Sequence, residues 1–77
     1  MPKELCKCGQ FLDLGAIPNP GEWLLIADVD YDRYTGPVDA ETLYADMKSM
    51  LVCPHCGRLL VYWQGFGNGY TAYRPEE

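Results

Sequence analysis

Apolar and polar residues follow a period of two in the first half of the chain. The segment WLLIADVDYDRY (23–34) begins as a continuous apolar run and ends in alternation between apolar residues and aspartates. In a strand, this alternation places Ala27, Val29 and Tyr31 on one face. The aspartates on the other face are Asp28, Asp30 and Asp32. The pattern predicts a strand with one buried face.

A helical period follows in TGPVDAETLYADMKSML (35–51). Leu43 and Met47 are four residues apart and more apolar residues follow at similar spacing, so one stripe of a helix is apolar. Asp39 is placed to cap its start, because a side-chain oxygen there accepts from free backbone N–H groups. We expect one helix over about 40–50.

Short strands are expected at both ends of the chain. LCKCGQFLDL (5–14) predicts a turn around two cysteines that leads into a strand. RLLVYWQ (58–64) and YTAYR (70–74) predict two strands, joined by the glycine-rich loop GFGNG, which favours a hairpin turn. The fold class we expect is therefore α+β, with an antiparallel sheet and one inserted helix.

The length of 77 residues predicts one domain over 1–77. A chain this short buries little apolar surface, so a covalent or metal staple is expected. The N-terminus has no apolar run of signal-peptide length, and nowhere do ~18 apolar residues run together. We therefore expect a cytoplasmic protein without a membrane segment, in which paired cysteines are metal ligands more often than disulfides.

The net charge of −5 is concentrated in the middle of the chain. Between Asp13 and Asp46 eight acids stand against one base, Arg33, so this segment carries −7. Such a segment repels nucleic acid, whose binding rests on bases that neutralise phosphates, and it attracts a basic protein partner. An acidic surface that only keeps the protein in solution fits the same pattern.

The four cysteines form two close pairs that suit one metal site. They are Cys6 and Cys8 in CKCG, and Cys53 and Cys56 in CPHCG. Tetrahedral zinc takes four thiolates. Gly57 supplies the positive φ needed after the second pair, whereas the spacing of the first pair suits an extended backbone. Three bases lie within three residues of a cysteine and offset the negative charge of the four thiolates: Lys3, Lys7 and Arg58.

Two alternatives to a four-cysteine site remain open. Disulfides would join the two ends of the chain, since bridges within either pair would be strained. His55 lies between two expected ligands and projects away from the metal, but it would be the first substitute if one cysteine did not reach the site.

CKCG and CPHCG, with the apolar strand and hairpin that follow, resemble a zinc ribbon, the fold group that includes rubredoxin. The resemblance covers 5–9 and 51–63, about a quarter of the chain. It implies that two cysteine turns clamp one zinc or iron ion beside a small antiparallel sheet. The first turn is C-x-C rather than C-x-x-C, and 44 residues separate the pairs, so about 13–50 forms an acidic insertion.

Other chemistry has less support in the sequence. DVDYD (28–32) starts like a calcium loop, but Arg33 stands where that loop needs glycine. There is one serine, Ser49, and one histidine, so no nucleophile–base pair is present. Four thiolates would also close the coordination of zinc. We expect no catalysis.

The C-terminal aromatic residues favour structural roles. Cross-strand aromatic pairs stabilise small hairpins, and we assign Tyr62, Trp63 and Tyr70 to such pairs. Phe66, at a loop tip between glycines, is expected to have no core partner and to be an exposed contact residue.

The leading functional hypothesis is a zinc-stabilised interaction or inhibitor module, such as an immunity-type protein, that binds a basic partner. The expected contact residues are Asp28, Asp30, Asp32 and Phe66. The alternatives are a rubredoxin-like electron carrier and a nucleic-acid-associated zinc ribbon.

Overall fold

The fold consists of two antiparallel sheets and short helices. The structure, a computed structural model, describes residues 3–76. The strands are β1 (Lys3–Leu5), β2 (Phe11–Asp13), β3 (Glu22–Leu25), β4 (Lys48–Val52), β5 (Leu59–Val61) and β6 (Thr71–Tyr73). The helices are α1 (Asp28–Tyr31), α2 (Ala40–Ala45) and a 3₁₀ turn (Phe66–Asn68). β1 and β2 form a hairpin, and the other strands form a sheet in the order β3-β4-β5-β6. The expected α+β class is confirmed.

The core lies between the β1–β2 hairpin and one face of the four-stranded sheet. Leu51 of β4 pairs with Leu60 of β5, and both side chains are almost fully buried. Leu12 of β2 packs in the same cluster. The cluster comprises Cys6, Leu12, Leu51, Cys53, Leu60 and Tyr62. Two of the expected metal ligands are therefore part of the hydrophobic core.

Two tyrosine hydroxyls join the two sheets. The hydroxyl of Tyr62 donates to Oε1 of Glu4 at 2.7 Å, and that of Tyr70 donates to the carbonyl of Leu5 at 2.8 Å. The two rings meet edge to face, with their centroids 6.0 Å apart. The expected structural role of these tyrosines is confirmed, since they hold β1 against the C-terminal strands.

The predicted strand over 23–34 is only partly correct, because residues 28–31 form a helix. β3 ends at Leu25, which pairs with Lys48, the first residue of β4. Beyond that point β4 offers no backbone partner, so the amides bond within α1 instead. Val29 is 75% exposed, so the expected buried face does not form.

The predicted helix over about 40–50 is too long, because α2 ends at Ala45. Its start is as expected: Asp39 accepts a hydrogen bond from the Thr42 N–H at 3.3 Å. The second half of the predicted helix is β4, where Leu51 pairs with both β3 and β5 and is 2% exposed. Pairing on two sides and burial outweigh the helical period.

The second face of the four-stranded sheet carries apolar and aromatic side chains that remain partly exposed. The strand registers align Trp23, Met50, Val61 and Thr71 in one row across this face. Its residues are Trp23, Leu25, Lys48, Met50, Val52, Leu59, Val61, Thr71 and Tyr73. We call this surface the open face, because Trp23 is 60% and Tyr73 46% exposed.

Candidate metal centre

The first cysteine turn connects β1 to β2. The Gly9 N–H donates to the carbonyl of Cys6, and the Cys6 N–H donates to the carbonyl of Gln10, both at 2.9 Å. Gly9 has φ +96°, which favours glycine. The expected extended backbone at Cys6 and Cys8 is wrong, since a tight turn brings the two side chains to the same site.

The second cysteine turn connects β4 to β5 with the same type of bonding. The Gly57 N–H donates to the carbonyl of Cys53 at 2.9 Å, and the Cys53 N–H donates to the carbonyl of Arg58 at 3.0 Å. Gly57 has φ +78°, which confirms the prediction from its position after Cys56. Each pair of cysteines is thus held by a hairpin turn at the edge of the core.

The four sulfur atoms lie together with the spacing of a metal site. All four Sγ atoms lie within 4.8 Å of one another. Sγ of Cys6 is 3.6 Å from Sγ of Cys56, and Sγ of Cys8 is 3.7 Å from Sγ of Cys53. Zn–S bonds of about 2.3 Å in a tetrahedron separate the sulfurs by about 3.8 Å, whereas a disulfide needs about 2.05 Å. The cysteines are free, and the cluster fits a metal ion.

Arg58 sets the electrostatics at one side of the sulfur cluster. A hydrogen bond from its backbone N–H, aided by its side chain, lowers the pKa of Cys56 to about 6. The same side-chain contact raises the pKa of Arg58. Cys56 therefore holds a thiolate near neutral pH, which is the form that binds metals. The predicted compensation of thiolate charge by Arg58 is consistent with this contact.

The pKa of Cys8 is shifted in the opposite direction from that of Cys56. The backbone of Gln10 lowers the pKa of Cys8, but loss of solvent and hydrogen bonds with the neighbouring thiols outweigh it and raise the pKa to about 11. Four adjacent sulfurs cannot all carry charge without a cation between them. A divalent ion supplies that cation, so the donor set favours a bound metal over an empty cluster.

The four cysteines differ in their exposure to solvent. Cys6 and Cys53 are 1% exposed, Cys56 is half-buried and Cys8 is exposed. His55 is exposed and lies outside the sulfur cluster. Four thiolates around one ion would leave no open coordination position.

The aspartates predicted to contact a partner lie on α1 and at its C-terminal cap, and none of them belongs to the cysteine cluster. Asp28 and Asp32 are exposed, and Asp30 forms an ion pair with Arg33. Within residues 3–76, the one group of side chains with metal-site geometry is the cysteine cluster, so the calcium alternative gains no support.

Phe66 is less isolated than the sequence indicates. It is 47% exposed, as expected, but its ring centroid is 4.4 Å from that of Tyr62. The expectation that it has no core partner is therefore wrong. Trp63 is 44% exposed, and its Nε1–H donates to the hydroxyl of Tyr73, an aromatic residue of β6, at 3.0 Å at the end of the open face.

Sequence reasoning missed a groove beside this indole. The groove, about 380 Å³, joins the end of β3 to the region of the acidic helices. Its lining residues include Leu25, Ile26, Asp30, Asp46, Lys48 and Trp63. The signal that points to it is the apolar run from Trp23 to Ile26 directly before the acidic residues that begin at Asp28.

The fold and the site define an α+β protein with a four-cysteine cluster suited to binding a metal. By sequence, the chain belongs to the family described as Domain of unknown function (DUF8617), whose model matches residues 2–77. No curated protein and no solved structure shows significant similarity to the chain. In residues 3–76, every helix is too short or too polar to cross a membrane.

Proposed function

We propose that the protein is a non-enzymatic interaction module in which zinc, bound by four cysteines in a zinc-ribbon-like site, holds the fold and an acidic surface binds a basic partner protein. The observation that carries the proposal is the sulfur cluster, whose pairs lie 3.6 and 3.7 Å apart. A closed site of four thiolates stabilises structure and leaves no position for a substrate.

Zinc is the metal that best fits this donor set. Four thiolates from two tight turns are typical of structural zinc sites. The cluster joins the turn after β1 to the turn after β4, so an ion there cross-links chain segments that are distant in sequence. Metal analysis of purified protein should find one zinc per chain, and Cys53→Ser should reduce that amount sharply.

The acidic helices support the interaction role. Neither α1 nor α2 buries a residue, so these elements contribute little to the core. The segment 28–46 carries six acids and one base, Arg33, a net charge of −5. Exposed elements that add charge without adding core are suited to contact a partner of opposite charge. An immunity-type inhibitor of a basic toxin is one concrete form of this role.

Capture of a partner by charge variants tests the proposal. Zinc-loaded wild type and a variant with Asp28, Asp30 and Asp32 changed to Lys would be immobilised and exposed to lysate of the source cells. We expect a discrete basic protein on the wild type and its loss on the variant. Glu76→Gln, a charge change at an exposed position outside α1, serves as the control and should retain capture. Equal capture by all three proteins would contradict the proposal.

Iron in the same cluster gives a second candidate, a rubredoxin-like electron carrier. The observation that favours it is the exposure of Cys8, because a surface sulfur shortens the path for electron transfer to a partner. Visible absorption of the purified protein decides between the zinc module and the iron electron carrier. A red protein with charge-transfer bands supports iron, and a colourless protein that contains zinc excludes electron transfer by iron.

A further inference from the structure

The open face leaves aromatic side chains without a cover. Trp23 is 60%, Trp63 44% and Tyr73 46% exposed, although each lies on or beside the four-stranded sheet. Val61, in the centre of the open face, is 4% exposed and lies outside the core cluster, so the neighbouring side chains alone bury it. A contiguous exposed apolar patch of this kind is typical of an interaction surface.

The groove at the end of the open face combines apolar walls with carboxylates. The wall residues are Leu25, Ile26 and the indole of Trp63, and the carboxylates are those of Asp30 and Asp46. Arginine matches such a site, because its stem packs on apolar side chains, its planar guanidinium stacks on an indole, and its N–H groups pair with carboxylates.

Internal contacts leave part of each carboxylate available. Oδ1 of Asp30 accepts from Arg33, and Oδ2 of Asp46 accepts from the Tyr34 hydroxyl. The second oxygen of each has no hydrogen bond within the described part of the chain. Arg33 is 73% exposed, and an exposed ion pair at this spacing contributes little, so an incoming guanidinium can displace it.

Lys48 is the one base that lines the groove, and it opposes an incoming cation. Within residues 3–76 it forms no ion pair. The acidic helices next to the groove still make the surroundings strongly negative, with a net charge of −5 over 28–46. The balance favours a cation at the groove, and removal of Lys48 should strengthen that preference.

A second copy of this chain fits the open face less well. Each chain carries a net charge of −5, and the carboxylates of Asp30 and Asp46 lie at the groove that adjoins this face. Like charges that face each other at an interface oppose association. The charge therefore selects a basic partner over self-association.

We propose that the groove and the adjoining open face bind an arginine-bearing apolar segment of the partner protein, whose guanidinium stacks on Trp63 and pairs with Asp30 and Asp46. This inference rests on the proposed function, of which it names the contact surface and the partner chemistry.

The test is a selection from a displayed dodecapeptide library on the zinc-loaded full chain. We expect enriched peptides that combine arginine with apolar residues. The best synthetic peptide is then compared with a version in which each arginine is citrulline, which has nearly the same shape but no charge. We expect the substitution to weaken binding by about tenfold or more.

Variants of the protein locate the site. Asp30→Asn with Asp46→Asn should weaken binding of the same peptide by about tenfold or more. Trp63→Ala should weaken it too, and Lys48→Met should strengthen it. The matched control is Asp13→Asn with Glu76→Gln, which removes the same charge from exposed positions outside the groove and outside the acidic segment 28–46 and should change binding by less than about threefold. Circular dichroism and zinc content confirm that each variant is folded.

Each other outcome has a definite meaning. If the control pair weakens binding as much as the groove pair, only long-range charge matters: the groove is excluded and the proposed function stands. If no arginine-bearing peptide is enriched, the arginine proposal fails, and the lysate capture decides separately on the proposed function. If sedimentation shows a dimer that Trp23→Ala dissociates, the open face binds a second copy and this inference is wrong.

Discussion

At the scale of single residues, both its backbone conformation and its surroundings require glycine at position 57. Its φ of +78° suits glycine, and a Cβ at this position would lie 3.1 Å from Cγ of Pro75. Gly57→Ala should therefore lower the free energy of unfolding by about 1–3 kcal/mol, through backbone strain and displacement of the C-terminal segment. Chemical denaturation of the zinc-loaded protein measures this.

Gly67 provides the matched control for that substitution. It has no positive φ, and a Cβ there would meet no atom within 4 Å. Gly67→Ala should change the unfolding free energy by less than about 0.5 kcal/mol. Equal effects at both positions would mean that the geometry of the second cysteine turn is not what Gly57 maintains.

Tyr62 stabilises the protein through its protonated hydroxyl. Burial and the hydrogen bond to Glu4 raise its pKa above the ordinary 10.0. Tyr62→Phe should lower the unfolding free energy at neutral pH by about 1–2 kcal/mol, because Glu4 loses its donor.

The same raised pKa gives Tyr62 a pH signature. The unfolded chain loses this proton at about the ordinary value of 10.0, before the folded chain does. The contribution of Tyr62 is thus complete below pH 10.0 and is lost as pH rises above it. The stability difference between wild type and Tyr62→Phe should shrink with rising alkaline pH. A difference that stays constant would show that the hydroxyl does not titrate as described.

At the scale of elements, α2 depends on its cap more than on packing. Asp39 accepts from the Thr42 N–H, and the helix buries no residue. Asp39→Ala should remove amide-exchange protection from α2 while global unfolding and zinc content stay nearly constant. Glu41→Ala, in the same helical turn, should have a smaller effect, because the Glu41 side chain makes no hydrogen bond within residues 3–76. A large loss of global stability would show that α2 belongs to the core.

Prediction from the sequence succeeded where a local pattern alone decides the secondary structure and no alternative strand pairing competes with it. The strands around Leu60 and Ala72 follow from apolar runs beside turn glycines, and the cap at Asp39 follows from its position. It failed for 28–31 and for the segment after Ala45, where the outcome depends on which strands are available for pairing. Strand pairing is a tertiary property that a period in the sequence does not encode.

For the candidate site as well, some features could be predicted from the sequence and others could not. The clustering of the four cysteines was predictable from their two close pairs and the flanking glycines, although the spacing of Cys6 and Cys8 gave a wrong expectation of extended backbone. The crosswise adjacency of Cys6 with Cys56 was not, because it depends on how two hairpins pack. The groove at Trp63 was missed for the same reason: its walls come from β3, the acidic helices and the end of β5.

At the scale of the whole molecule, the apolar core is too small to hold the fold alone. The buried apolar residues in 3–76 are Cys6, Leu12, Leu51, Cys53, Leu60, Val61 and Tyr62. Structural zinc contributes about 10–16 kcal/mol in small zinc peptides, more than the ~3–5 kcal/mol that a core of this size supplies. Excess chelator at neutral pH should therefore unfold the protein.

Circular dichroism during chelation and after zinc is added back measures this effect. We expect loss of the strand signal in chelator and its recovery with zinc. The metal-free Cys53→Ser variant, which has already lost one ligand, should show little further change. An unchanged spectrum of the wild type in excess chelator would exclude a structural metal.

The sulfur contacts between the first and second cysteine turns also determine when the metal site can form during synthesis of the chain. Cys6 meets Cys56 and Cys8 meets Cys53, partners separated by 50 and 45 positions. Two thiolates emerge early and can hold an ion only weakly until the second turn has been synthesised. Stable metal binding would therefore require synthesis through Cys56, and a product that ends before Cys53 would lack half of the ligands. An ion at this site would therefore be retained only by copies synthesised past the second cysteine turn.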